Sequence, residues 1–144
     1  MGYYKWIILL LFAIFATTNS YGQEYTLTLH VSNIKEKKGT IIVSVFDNIN
    51  DFLKEGREFY KQVVQVKDSF ILFTFRKIPK GRYAIALFHD LNGDSKCNKN
   101  LIGLPKEGFG FSNNYIPIYR PPRFDEVQFE IKEDHKEEIK LLHF

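Results

Sequence analysis

A chain of 144 residues with a formal net charge of +3 has the length of one domain built around a single hydrophobic core. Its charges of both signs are interspersed, whereas nucleic-acid-binding domains concentrate basic residues in a stripe backed by stacking aromatic side chains. The composition therefore argues against a nucleic-acid partner. Cys97 is the only cysteine, which excludes an internal disulfide and leaves apolar burial to stabilise the fold.

The first residues have the pattern of a secretory signal peptide. Lys5 precedes an unbroken run of eleven apolar residues, Trp6 to Ala16, and small residues follow at the positions that signal peptidase reads. Eleven residues are too few to cross a bilayer, which takes about 20, although an uncleaved anchor is the alternative. We expect residues 1–22 to be a signal peptide and residues 23–144 to form one exported domain, periplasmic or extracellular, without a transmembrane segment.

After the signal peptide, apolar and polar residues alternate with a period of two, which predicts β-strands. A single helical turn is expected at Asp51–Gly56 and a tight hairpin turn at Asp68–Ser69. Many short strands without a long helix predict an all-β fold, a seven-stranded antiparallel β-sandwich. The seven expected strands are residues 25–31, 40–47, 58–67, 70–75, 83–88, 124–132 and 137–144.

The segment Tyr83–Phe88 contains no polar residue, so this strand should be central and covered on both faces. Ala84 and Ala86 leave room there for a closely packed group. A connection of 33 residues follows, from Asp90 to Pro122, which is long for a compact domain and is typical of functional loops. Its many apolar residues predict an ordered loop, with Phe109 and Phe111 packed against one end of the sandwich.

The first half of this loop carries side-chain oxygens at alternate positions, the spacing with which a curled loop surrounds a hard cation such as Ca²⁺. Glu107 could reach back to supply a further carboxylate, but Ser95 and Leu101 replace the Gly and Glu of a complete motif. The alternative is an Asx-rich loop without metal, because Asp and Asn side chains also cap backbone N–H groups. The candidate calcium ligands are Asp90, Asn92, Asp94, the carbonyl of Lys96, Asn98 and Glu107; no other cofactor is expected.

Two segments, "GRYAIALFHDLNGDSKCNKNLIGLPKEGFGFSNN" and "PPRFDEVQF", together resemble a family of small exported bacterial proteins, domain of unknown function 2141. The shared elements are a Gly-x-Tyr-Ala strand, a His-Asp-x-Asn loop, Gly-x-Pro-x-Glu, Gly-Phe-Ser-Asn and a Pro-Pro-x-Phe strand entry. The resemblance extends over the chain beyond the signal peptide and implies a transthyretin-like or immunoglobulin-like sandwich, without an established activity. Ser95 and Asn98 stand where that family usually has Gly and Asp, which weakens the case for metal in this chain.

These features favour a non-enzymatic protein whose long loop forms a surface for a protein or carbohydrate partner. The residues expected on that surface are His89, Phe109, Phe111, Ser112 and Asn113, with Tyr115 and Tyr119 added for a sugar ligand. The alternative is a periplasmic hydrolase that uses His89, Asp90 and Glu107, or a Cys97–His89 nucleophile pair. Cys97 is otherwise expected to be a small apolar residue beneath the loop.

Overall fold

The structure, a computed structural model, describes residues 22–100 and 105–144; nearly all of the predicted signal peptide lies outside these ranges. A 3-10 turn at Ser112–Asn114 and a four-residue helix, α1 (Phe124–Val127), are the helical elements described. No helix in the described ranges combines the length and the apolar character needed to span a bilayer. The strands are β1 (Glu24–Ser32), β2 (Thr40–Phe46), β3 (Tyr60–Gln65), β4 (Ile71–Pro79), β5 (Gly81–Asp90), β6 (Phe109–Phe111), β7 (Phe129–Ile131) and β8 (His135–Lys140).

The strands form two sheets, which confirms the all-β sandwich. The first has the order β4-β1-β8, and the second has the order β3-β2-β5-β6, with β7 also paired to β5. Every pairing is antiparallel except that of β1 with β8. Alternate residues of β1, β2, β4 and β5 face the space between the sheets and form the main core, because side chains along a strand alternate between its faces. Fully buried members include Leu27, Leu29, Ile41, Val43, Phe73, Phe75 and Ile85, together with Ile139 of β8.

Three local predictions were wrong. Asp68–Ser69 is not a hairpin turn, because β3 pairs with β2 and β4 pairs with β1, so the turn carries the chain from one sheet to the other. The expected strand 124–132 begins as helix α1, and only its second half is β7. The expected helical turn at Asp51–Gly56 is a turn of another kind: Lys54 donates its N–H to the Asp51 carbonyl at 3.0 Å, but Leu53 between them has a φ angle of 61°, outside the helical range. The eighth strand, β6, lies inside the long connection, where no strand was expected.

The second sheet is apolar on its outer face as well as on its inner face. In the strand register, Ile42 of β2 lies opposite both Val63 of β3 and Phe88 of β5, and Phe88 lies opposite Phe109 of β6. Directly paired residues point to the same side of a sheet, so these four side chains form one row across it. The expectation that β5 is buried from both sides is confirmed: every residue from Tyr83 to Asp90 is buried or half-buried.

A second, smaller core covers one end of that outer face. Phe46 and Ala84 from the sheet pack there with Phe124 and Val127 of α1. The carboxylate of Glu126 fixes the start of the helix, since it accepts the backbone N–H of Arg123 at 2.7 Å. Arg120 donates two hydrogen bonds of 2.8 Å to the same carboxylate. The bonds from Arg120 and then from the Arg123 N–H lower the pKa of Glu126 to about 2.

The Glu126 contacts predict an acid-sensitive contribution to stability. A carboxylate whose pKa is lowered on folding stabilises the native state above its unfolded pKa, and that contribution is lost as the pH falls from 4.5 towards about 2. Glu126→Gln should lower the free energy of unfolding at neutral pH and flatten its dependence on pH over this interval. Urea unfolding at several pH values measures both effects. Asp125→Asn, one residue earlier in the same helix, is the control, and an equal change in both variants would contradict the assignment.

Candidate functional site

The polar loop begins on a buried carboxylate. Asp90, the last residue of β5, is 2% exposed. Its Oδ1 accepts the N–H of Gly93 at 2.7 Å, and its Oδ2 accepts the N–H of Ser95 at 2.9 Å. Gly93 and Ser95 both have positive φ angles, 77° and 60°, so the chain curls around this side chain. The Asp90 carboxylate therefore holds the loop through backbone groups, as an Asx-rich loop does without metal.

Asn92, Asp94 and Asn98 form a separate, outward-facing cluster. The Asp94 carboxylate accepts the side-chain amides of Asn92 at 3.1 Å and Asn98 at 2.9 Å. It also accepts the backbone N–H of Lys96 at 2.8 Å, while the Lys96 carbonyl accepts the Asn98 amide at 3.4 Å. The bonds from Asn98 and then Lys96 lower the pKa of Asp94. The six predicted calcium ligands therefore divide into two sets: the buried Asp90 and Glu107, and the exposed cluster around Asp94. The described residues contain no group of three or more His, Cys, Asp or Glu side chains that could hold a metal.

Glu107 does reach back to the start of the loop. Its Oε1 accepts the N–H of Leu91, the residue after Asp90, at 2.9 Å. The side chain is 7% exposed, and its Oε2 is buried without a hydrogen-bond partner in the described part of the chain. A buried carboxylate oxygen without a partner is energetically costly, so this atom has unused capacity to bind a cation or a donor.

The β1–β2 turn supports the base of the loop. His89 is 1% exposed, and its Nε2 lies 2.6 Å from the Lys38 carbonyl; a carbonyl only accepts, so Nε2 carries the proton. The next residue, Gly39, has a φ angle of 70°, and a Cβ on it would lie 2.2 Å from the carbonyl oxygen of Asp90. His89 also donates its backbone N–H to Gly108 at 2.7 Å. The predicted ligand surface is therefore wrong for His89, whose ring is enclosed by these backbone contacts.

The Ser112–Asn114 turn is likewise structural. Ser112 is fully buried, and its hydroxyl donates to Val127 at 2.5 Å while accepting the N–H of Ile85 at 3.0 Å. The prediction of a surface role is wrong for Ser112. Asn113 is exposed but donates to the Gln128 carbonyl at 3.1 Å, and Asn114 bonds to β8 through both ends of its amide. Asn114, which no sequence motif singled out, thus ties the loop to the opposite sheet.

An apolar groove lies on the outer face of the second sheet, beside the polar loop. It has a volume of about 770 Å³. Its floor includes two small residues, Ser44 and Ala86, which the register places opposite each other between larger neighbours. Phe109 and Phe111, the two aromatic residues expected to cap the sandwich, line the groove, as does Cys97. Small residues surrounded by large ones leave a depression, and the apolar segments beyond β6 raise its walls.

Cys97 is half-buried, in keeping with the expectation of an apolar residue beneath the loop. Burial raises the pKa of its thiol; Lys99 acts in the opposite direction and Glu107 in the same direction. A raised thiol pKa lowers the thiolate population, and the thiolate is the nucleophilic form. The side chain therefore contributes surface to the groove more readily than it contributes reactivity.

These features define a class: an all-β sandwich with a buried polar anchor at the base of a long loop and an apolar groove on the outer face of one sheet. The chain belongs to a bacterial family described as "Uncharacterized protein conserved in bacteria (DUF2141)", whose model matches residues 29–140. No curated protein and no solved structure gives a significant match.

Gly39 and Gly56 give a matched test of the loop base, because both have positive φ angles, 70° and 75°, but only Gly39 faces a close neighbour. Gly56→Ala should cost about 1–2 kcal/mol of stability, the strain of a left-handed L-residue. Gly39→Ala should cost about 1–3 kcal/mol more, because the new methyl group displaces the Asp90 backbone. Urea unfolding measures the difference, and equal losses in the two variants would show that the Gly39 turn does not support the loop.

Proposed function

We propose that this protein is an exported, non-enzymatic binding protein whose groove, defined by Ser44, Ala86, Phe109, Phe111 and Cys97, accepts a small apolar ligand. The observation that carries the proposal is the groove itself. Its volume of about 770 Å³ falls within the range of roughly 300–1,000 Å³ in which proteins bind small molecules. The apolar run before residue 23 supports export.

Exposed apolar side chains from distant parts of the chain converge on the groove. Leu53, Ile118, Tyr119 and Phe144 line it and are 41%, 74%, 97% and 64% exposed. Large apolar side chains are costly to leave in water, and a contiguous exposed patch of them marks a binding site more often than scattered single residues do. Four such residues around one depression supply the apolar surface that a ligand would bury.

Binding is favoured over hydrolysis by the geometry of the residues named for catalysis. His89, Asp90 and Glu107 each direct polar atoms at neighbouring backbone groups. His89 and Asp90 also point to opposite faces of β5, as consecutive strand residues do, so neither can orient the other towards a substrate. A general base must reach the proton that it abstracts, and these contacts hold the three side chains within the fold.

Filling the floor of the groove tests the proposal. N-phenyl-1-naphthylamine, a neutral apolar fluorophore, should bind the protein with an increase in fluorescence. Ser44→Phe should weaken this binding about tenfold or more, because the ring occupies the space above Ala86. Thr74→Phe, the same kind of replacement at an exposed strand position in the other sheet, should leave it unchanged. Absence of probe binding by the unmodified protein, or equal affinity in Ser44→Phe, would overturn the proposal.

We also propose that a calcium ion braces the loop through Glu107. The support is the buried Oε2 of this residue, which has no partner among residues 22–100 and 105–144, next to oxygen-rich positions 90–98. The Asp90 carboxylate is already used by two backbone N–H groups, so the ion would gain few charged ligands. Binding should therefore be weak, in the range of about 10⁻⁴–10⁻³ M that extracellular modules show.

Thermal melting with added calcium tests this second part. A ligand that binds only the native state stabilises it, by about 1.4 kcal/mol at ten times its Kd, which is a shift of a few degrees for a domain of this size. Glu107→Gln should abolish the shift, and Glu133→Gln, at an exposed position, should retain it. An unchanged melting temperature in millimolar Ca²⁺, or a response that survives Glu107→Gln, would remove the ion from the proposal.

A further inference from the structure

We infer that the ligand of the groove is a single-chain amphiphile with an anionic head, a fatty carboxylate, bound with its chain on the sheet and its head at Lys96 and Lys99. This inference rests on the proposed binding function and adds the chemical class of the ligand. Three properties of the groove support this inference: the shape of its floor, the balance of charges at its rim, and the absence from the floor of backbone groups that are free to hydrogen-bond with a ligand.

The floor extends across strands and not along one of them. The floor row formed by Ile42, Phe88 and Phe109 crosses three neighbouring strands, β2, β5 and β6. Two strand spacings of about 4.8 Å make this row about 10 Å long. The neighbouring row contains Ser44 and Ala86, so the depression runs beside a continuous apolar ridge. An elongated apolar surface of this kind fits an extended acyl chain better than a compact ring system.

A sheet face offers a ligand no hydrogen bonds from the backbone, because the N–H and C=O groups of β2 and β5 are paired within the sheet. A peptide laid on this floor would lose water from its own backbone without gaining partners, at a cost for each buried polar group. Peptides that bind sheets add to an exposed edge, which the groove floor is not. An acyl chain has no such groups to satisfy.

The rim carries more positive than negative charge. Five basic and two acidic side chains line the groove. Lys61 pairs with Glu58 at 3.6 Å, and Arg120 is held by Glu126 at 2.8 Å, so these cations are already compensated. Among the described residues, Lys54, Lys96 and Lys99 make no ion pair, and Glu55 is the remaining acidic group on the rim.

Lys96 and Lys99 stand on either side of the half-buried Cys97, at the edge where the loop meets the groove. Both lysines line the groove together with Cys97. The Asp94 carboxylate, which accepts two Asn amides and the Lys96 backbone N–H, also attracts the Lys96 ammonium group. Neither lysine makes an ion pair in the described part of the chain, so both ammonium groups can contact an incoming anion. Cationic side chains beside an apolar surface complement an anionic head on an apolar chain.

Displacement of bound N-phenyl-1-naphthylamine separates this inference from the proposed function. Dodecanoate should displace the probe at a concentration about tenfold lower than dodecanol, the effect of one charge-assisted contact. Lys96→Gln/Lys99→Gln should remove this preference while leaving displacement by dodecanol unchanged. Lys132→Gln/Lys136→Gln removes the same charge on β8 and the turn before it and should retain the preference. Raising the salt concentration should reduce the preference, because exposed charges are screened.

Each result assigns failure to one level. If the unmodified protein does not bind the fluorophore, the proposed function is wrong and this inference falls with it. If the probe binds but dodecanoate and dodecanol displace it equally, or dodecyltrimethylammonium displaces it best, the groove binds apolar ligands and the anionic head is wrong. A preference for dodecanoate that survives in Lys96→Gln/Lys99→Gln overturns the assignment of these two lysines.

Discussion

Two adjacent strands that are apolar on both faces set the requirements for the rest of this fold. The three-stranded sheet buries the inner faces of β2 and β5, so only their outer apolar faces still need to be covered. Their outer faces carry Ile42, Phe46, Ala84 and Phe88, and no third sheet covers them in the described part of the chain. Helix α1 and its Phe124 cover one end. The long connection after β5 borders the rest, so the size of that connection follows from the sheet beneath it.

Buried polar groups hold this connection in one shape. Asp90 and Glu107 bind backbone N–H groups at its start, and Ser112 binds β5 and α1 through one hydroxyl. The Ser112 bonds are buried and those of Asp90 and Glu107 are partly buried, and each satisfies a backbone N–H or carbonyl group of the chain. Polar residues that the sequence suggested as ligands thus hold the loop in place through hydrogen bonds. The surface beside them is apolar. The binding site proposed here lies beside them.

The parts of the fold that the sequence predicts are those set by side-chain alternation. The ends of β1 and β2 are predicted to within one residue. Polar and apolar residues alternate along β1, and β2 is almost entirely apolar. The start of the 124–132 segment was mistaken for a strand because Phe124 and Val127 satisfy a strand or a short helix equally well. The crossing at Asp68–Ser69 resembles a hairpin locally, and only long-range pairing distinguishes the two. The small side chain of Ala86 indicates a depression in the sheet face. The contribution of Ile118 and Tyr119 to the groove could not be predicted, because it depends on the path of the long connection and not on local sequence pattern.

The parallel pairing of β1 with β8 has a kinetic consequence. Thr26 in β1 donates its N–H to Asp134, 108 residues later, and β1 is the middle strand of its sheet. The three-stranded sheet is therefore incomplete until the segment around residues 135–140 has been synthesised. Contacts between such distant segments slow folding, because the chain loses the entropy of closing a long loop before these contacts can stabilise it. Completion of this sheet should therefore be a late step in folding, possible only once nearly the whole chain is available.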